Sequence, residues 1–361
     1  MKPDTSVYRE RFAAALARKP ADRPPMDLGS TDMTEIDGGP RRLGPLLGVP
    51  EEDEAVLVAL DTDIRGVGGV LAPPSPLARQ VSPTSRTDCW GIGYEFNGHH
   101  YEAVGRPLAD ATLDDLENYP WPDPDQIDPA VFRDLGLQAK RLFEETPYVV
   151  CARHPYYGVM ELGCWMCGFE DFLYRMAGER EFVHRFFEII FAYQKKVDEL
   201  YYREVGRYCH FTTSGDDFGT QIGPFLSPAM FRDTVAPFLG ARIRHIRTFT
   251  DAAFFQHTCG SVFDLIPHLI EAGVDILNPI QPRAKDMEPE RLKAAYGDRL
   301  TFYGGIDTQR LLPEGTCEEV KEGTRALIRT LAPGYVLSAA HTIQEDVPPE
   351  NVVAMYRAAE G

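Results

Sequence analysis

Eight short apolar runs, separated by longer helical patterns, limit this chain to very few folds. Two lie near the N-terminus, "PPMDLG" (24–29) and "DIRGVGG" (63–69). Six follow: "YVVCARH" (148–154), "YCHFTTSGDD" (208–217), "AAFFQHTCG" (252–260), "VDILNPIQ" (274–281), "LTFYGGID" (300–307) and "YVLSAAH" (335–341). Most are nearly continuous in apolar, β-branched or aromatic residues and end in Gly, Asp or His. Such runs fit strands buried on both faces, as in a parallel sheet. Between them, Ser227 precedes Pro228 at one helix start, and Thr316 with Glu319 forms a capping box at another. Alternating strands and helices argue for βα units with right-handed crossovers. Eight units in 361 residues predict one α/β domain over 1–361, a (β/α)8 TIM-type barrel. An open doubly wound sheet is the other architecture, but no GxGxxG follows the first strand.

Residues 70–147 hold more chain than a βα unit needs. Within them, two strand-like stretches flank Asn97-Gly98, a signal for a type I′ hairpin. His99 and His100 lie in this hairpin, as surface residues or lining the lid. The segment is expected to form a lid-like insertion over the barrel mouth.

Composition excludes several classes. Charged residues make up 25% and apolar residues 43%, the balance of a globular protein. The net charge of −18 disfavours nucleic acid as a partner. No run approaches 18 apolar residues, so no membrane span is expected. The N-terminal stretch lacks an apolar signal region. Seven cysteines, an odd number and mostly unclustered, fit reduced thiols better than a disulfide framework, which points to the cytoplasm.

In a barrel, the loops after the strands build the site. The strand ends here carry Asp27, Arg65, His154, Asp216, Asp217, His257, Cys259, Asn278, Asp307 and His341. In "FFQHTCGSV" (254–262), His257 and Cys259 are two apart and point the same way from an extended chain. An imidazole and a thiolate on one strand end suit Zn²⁺, and Gly260 lets the chain turn beside them. The competing reading is a buried thiol beside a hydrogen-bonded core histidine. His341, after small residues in "LSAAHTIQ", is the best third ligand, and three ligands with an open position describe a catalytic zinc site. In "SGDDFGTQ" (214–221), Asp216 and Asp217 cannot both face the mouth, so one acts and the other caps or orients. Asp307 has the same two readings, and Gly304-Gly305 before it would admit a ligand close to the backbone. Cys164 and Cys167, without a second pair, read as packing residues.

The segments "PADRPPMDLGSTDMT", "SGDDFGTQIGPFLSPAMFR", "QHTCGSVFDLIPHLIEAGVDILNPIQ", "LTFYGGIDTQRLLPEGT" and "VPPENVVAMYRAAE" resemble the uroporphyrinogen decarboxylase superfamily over nearly the whole chain. The resemblance implies a TIM-type barrel. The true decarboxylases carry an arginine-bearing RQAGRY-like segment, where this chain reads "RPPMDLGST". The other branch comprises zinc-dependent corrinoid methyltransferases, whose metal is held by His-x-Cys and a later Cys. Here His257 and Cys259 match, and His341 stands in place of the Cys.

The resemblance therefore implies a methyltransferase working between methylcobalamin on a corrinoid carrier protein and a small-molecule acceptor or donor. Zinc would sit on His257, Cys259 and His341. Asp216 or Asp217 would act as base or positioning group. Asp27, His154, Gln221, Asn278 and Asp307 would contact substrate. The alternatives are a cofactor-independent decarboxylase of the uroporphyrinogen type and a barrel kept only for binding.

Overall fold

A computed structural model describes residues 6–98 and 101–359. Its strands are β1 (Ile64–Gly68), β2 (Arg79–Ser82), β3 (Ser85–Thr87), β4 (Gly93–Phe96), β5 (Tyr101–Gly105), β6 (Val149–Arg153), β7 (Phe211–Gly215), β8 (Gly219–Thr220), β9 (Gly223–Pro224), β10 (Ala253–His257), β11 (Ile276–Asn278), β12 (Thr301–Tyr303) and β13 (Tyr335–Val336). Seven form one parallel sheet in the order β1-β6-β7-β10-β11-β12-β13.

The expected strand over 24–29 is present as a single parallel bridge, Met26 to Leu337. That bridge sits between the two edges of the sheet. Asp27 N–H donates to Leu337 O at 3.0 Å, Leu337 N–H to Pro25 O at 2.9 Å, and Asp63 N–H to Met26 O at 2.8 Å. The segment is thus the eighth stave of a (β/α)8-type barrel. It pairs so briefly because Pro24 and Pro25 offer no N–H and Gly29, at φ 75°, turns the chain away.

Side chains alternate along each strand. Ile64, Val149, Cys151, Phe211, Phe255, Ile276, Tyr303 and Val336 point inward and form one buried cluster. Val67, Val150, Ala152, Phe254, Leu277 and Phe302 point outward under the helices. Phe12, on the helix Val7–Leu16, joins the inner cluster and stacks 5.1 Å from Phe211. That helix closes the end of the barrel opposite the strand C-termini.

The same alternation corrects the expectation for Arg65. It falls on the outward face of β1, where its guanidinium pairs with Glu54 at 2.8 Å and lies 3.8 Å over the Tyr148 ring. Arg153 is the inward residue.

Between β1 and β6 lies a four-stranded antiparallel sheet, β2-β3-β4-β5, where a hairpin alone was expected. Phe96 pairs with Tyr101, so the β4–β5 connection spans four residues instead of the two of a type I′ turn. His99 and His100 lie outside the described residues. Leu71 N–H donates to Pro155 O and Leu108 N–H to Met166 O, both at 2.8 Å, which fastens the insertion to the chain after β6. The last helix of the segment, Pro129–Glu145, packs on β1 and β6 as a barrel helix does.

The capping signals hold. Ser227 Oγ accepts Met230 N–H at 3.2 Å, and Thr316 and Glu319 cap each other. The helix expected from Pro228 is broken into Pro228–Thr234 and Ala236–Ile246. Pro237 lacks an N–H, and its ring would meet the carbonyl four residues back. Cys164 and Cys167 are buried in the helix Val159–Cys167. Among the described residues, no helix is long and apolar enough to cross a membrane.

Phe12→Ala should cost about 3–5 kcal/mol, as for other buried aromatics, and lower the denaturant midpoint while leaving the far-ultraviolet circular dichroism of the native state unchanged.

Candidate functional site

The alternation that buries Phe255 turns His257 inward, one layer closer to the strand C-termini. Two residues later Cys259 points the same way. His257 Nε2 lies 3.4 Å from Cys259 Sγ, and the His341 ring is 5.5 Å from that of His257, centroid to centroid. One ligand atom from each of the three falls within 4.8 Å of the others. A tetrahedral ion with bonds of about 2.0–2.1 Å to nitrogen and 2.3 Å to sulfur places two nitrogens and one sulfur about 3.3–3.6 Å apart. The triad fits that spacing after small side-chain adjustment.

A second layer orients it. His257 Nδ1 faces Asn278 Oδ1 at 2.7 Å, while the Asn278 amide nitrogen donates to Tyr303 O at 3.3 Å. With that amide orientation, Nδ1 carries the proton and Nε2 keeps its lone pair for a ligand. Asn278, expected to touch substrate, is occupied in holding this ring.

The loop around Cys259 is fixed by contacts that only glycine permits. Gly260 has φ 82°, and a Cβ there would lie 2.6 Å from the backbone of Gly219 and Thr220. Ser261 N–H donates to Thr220 O at 2.7 Å, so the small β8–β9 hairpin braces the loop that carries Cys259. Gln281 Oε1 accepts Gly260 N–H at 2.8 Å and faces Gln221 Nε2 at 3.2 Å. Gln221 thus stands at the rim, and Gln281, which sequence reasoning passed over, is its link to the loop.

The two adjacent aspartates separate as their geometry requires. Asp216 is buried, and its carboxylate accepts Met160 N–H at 3.1 Å and Glu161 N–H at 2.7 Å. It caps the helix Val159–Cys167 from another strand. A Cβ on Gly158 would lie 2.2 Å from its Cγ, so only glycine admits this approach. Burial raises Asp216 to about 7 against the opposing effect of the two N–H groups. Asp217 turns to the mouth. It is 39% exposed at its side chain, accepts Cys259 N–H at 2.7 Å and lies 3.7 Å from His257 Nε2.

The remaining candidates spread out. His154 is buried beside Thr213, with Nδ1 2.8 Å from its hydroxyl; burial, Arg242 and His257 depress it to about 3, so it stays neutral. Asp27 is fully buried and spends its carboxylate on Ser30 N–H at 3.1 Å and the Thr34 hydroxyl at 2.6 Å. Asp307 accepts Gln309 N–H at 2.9 Å and faces Arg283 at 3.9 Å. Gly304 and Gly305 make room for the protein itself: Cβ atoms there would meet Ala339 O at 2.9 Å and Leu327 at 3.0 Å.

Burial and the Asp217 carboxylate push the Cys259 thiol well up, and burial with His257 lowers His341 to about 4. A neutral imidazole is ready to ligate. A thiol is not, and a dication at this place reverses the sign by stabilising the thiolate.

The family model of uroporphyrinogen decarboxylase (URO-D) matches residues 89–361. No curated protein matches the chain at a significant level. Among solved structures, a methyltransferase from Methanosarcina mazei is similar over 98% of each chain, with a TM-score of 0.67 and 14% identity, a likeness of fold.

Asn278→Ala should weaken Zn²⁺ binding about 10- to 100-fold in a competition titration with a chromophoric chelator. Unchanged affinity would show that the hydrogen bond to His257 does not orient the ring for a ligand.

Proposed function

The chain belongs to the uroporphyrinogen decarboxylase family, and on that premise we propose that it is a zinc-dependent methyltransferase. It passes a methyl group between a corrinoid, methylcobalamin on a carrier protein, and a small-molecule acceptor. The observation that carries this reading is the convergence of His257, Cys259 and His341 within 4.8 Å at the barrel mouth. The name of the structural neighbour points the same way.

Zinc held by these three residues would supply a Lewis acid for the heteroatom of the acceptor. The chain's own groups do the rest. His257 is held in one tautomer by Asn278. Asp217 stands at the open side of the triad and can take the proton of a thiol or alcohol. Asp216 fixes the helix at the rim. His154 keeps its ring neutral, so it adds no charge that would repel a metal. With His341 where relatives of the methyltransferase branch have a thiolate, a zinc ion held here would carry one more unit of positive charge. That makes a stronger Lewis acid and a less nucleophilic bound sulfur.

Decarboxylation of the uroporphyrinogen type fits less well, because buried or clamped carboxylates need cationic partners. In the segment at 23–31, Arg23 pairs with Asp63 at 2.6 Å and Asp61 at 2.8 Å. Arg153 donates to Asp32, Glu35, Ser30 O and Gly29 O. Both guanidiniums are committed within the protein.

Elemental analysis of the purified protein should find about one zinc per chain. Cys259→Ala and His257→Ala should each lose it while remaining folded, and His341→Cys should retain it. Zinc retained in full by Cys259→Ala would remove the basis of the proposal.

A further inference from the structure

Beside the triad, one face of the helix Val159–Cys167 is left over. Val159, Met160, Leu162, Gly163, Cys164, Met166 and Cys167 are all buried, whereas Glu161 and Trp165 are only partly buried. They lie four apart, so they share one face. Tyr157, half-exposed in the loop before the helix, stacks edge-on against Trp165 with ring centroids 4.8 Å apart. The result is two aromatic rings and a carboxyl side by side.

Glu161 is not a surface charge that happens to be there. The chain spends a buried Asp216 and an obligatory Gly158 on fixing its backbone N–H. Yet among the described residues its own carboxyl has no hydrogen-bond or ion-pair partner. The ionisable groups that act on it are Asp216 and Asp217, two more carboxylates, and Glu161 in turn acts on Cys259. Together with burial they hold it well above the usual carboxylate range. The group that would relieve this is a positive charge, and among the described residues none is paired with it.

We propose that Tyr157, Glu161 and Trp165 seat a cationic group of the substrate, so that the small molecule brought to His257, Cys259 and His341 carries an ammonium group. Aromatic faces with a carboxylate are the chemistry that recognises methylated or protonated amines. A sulfonate or carboxylate in the same place would meet Glu161 and Asp217 and be rejected. This inference rests on the metal-centre reading above.

The test uses the cobalt(II)-substituted protein and three thiols that share a two-carbon arm: thiocholine, 2-mercaptoethanol and 2-mercaptoethanesulfonate. Each is titrated against the added sulfur-to-cobalt charge-transfer absorption. Thiocholine should bind at least about tenfold more tightly than the sulfonate, with the neutral thiol between them. Glu161→Gln should close most of that gap and leave 2-mercaptoethanol unaffected. A sulfonate that binds as well as thiocholine, or a gap that survives Glu161→Gln, overturns the inference while leaving the metal centre standing. If none of the three thiols adds absorption, thiols are excluded as acceptors at this centre, whose metal content is judged separately by the zinc analysis above. The cation seat is then judged by saturation-transfer NMR with tetramethylammonium, where no transfer in the wild type, or equal transfer in Glu161→Gln, overturns it.

Discussion

Strand β10 is hydrogen-bonded on both sides, to β7 through Ala253–His257 and to β11 through Phe255–His257. That double pairing locks its pleat. A slip of one residue would send Phe255 into the helix layer and His257 out of the barrel. Everything in the site follows from the pleat staying in place. Phe255 fills the barrel interior, His257 stands above it, and Cys259 continues the same side past the strand end. Asn278, opposite His257 in the register, then meets its Nδ1. Packing and site geometry are thus set by one alternation, and the hydrophobic cluster below holds His257 and Cys259 in fixed positions.

Around that strand the protein uses glycine where two backbones must touch. Gly260 against Gly219 and Thr220, and Gly158 against Asp216, bring the loops after β7 and β10 and the helix after β6 into one mouth. The carboxylates divide accordingly. Asp216 is drawn inside to cap a helix. Asp217 and Glu161 remain around the triad, so the acidic side chains of the mouth gather beside His257, Cys259 and His341.

Much of this was legible in the sequence because it depends on local pattern. The alternation in "AAFFQHTCG" marked His257 and Cys259 as neighbours on one side, and the small residues before His341 marked a place with room. The eight runs gave the barrel. What escaped depends on contacts between distant segments. Nothing local says that Pro24 and Pro25 would reduce the first strand to one bridge while still closing the sheet. Arg65 was read from its place near a strand end, but its parity along β1 puts it outside. Gln281 and Glu161 carry no motif. Glu161 had one usable signal, a lone carboxylate in the otherwise apolar "VMELGCWMC", and its meaning appears only when Asp216 is seen holding its N–H.

The central claim is that His257, Cys259 and His341 form one metal centre. Zinc-edge X-ray absorption on the purified protein tests it most directly. The expected shell is one sulfur at about 2.3 Å and two imidazole nitrogens at about 2.0–2.1 Å, with the remaining position taken by a light atom. A shell of nitrogen and oxygen alone, or one with two or more sulfurs, would contradict it.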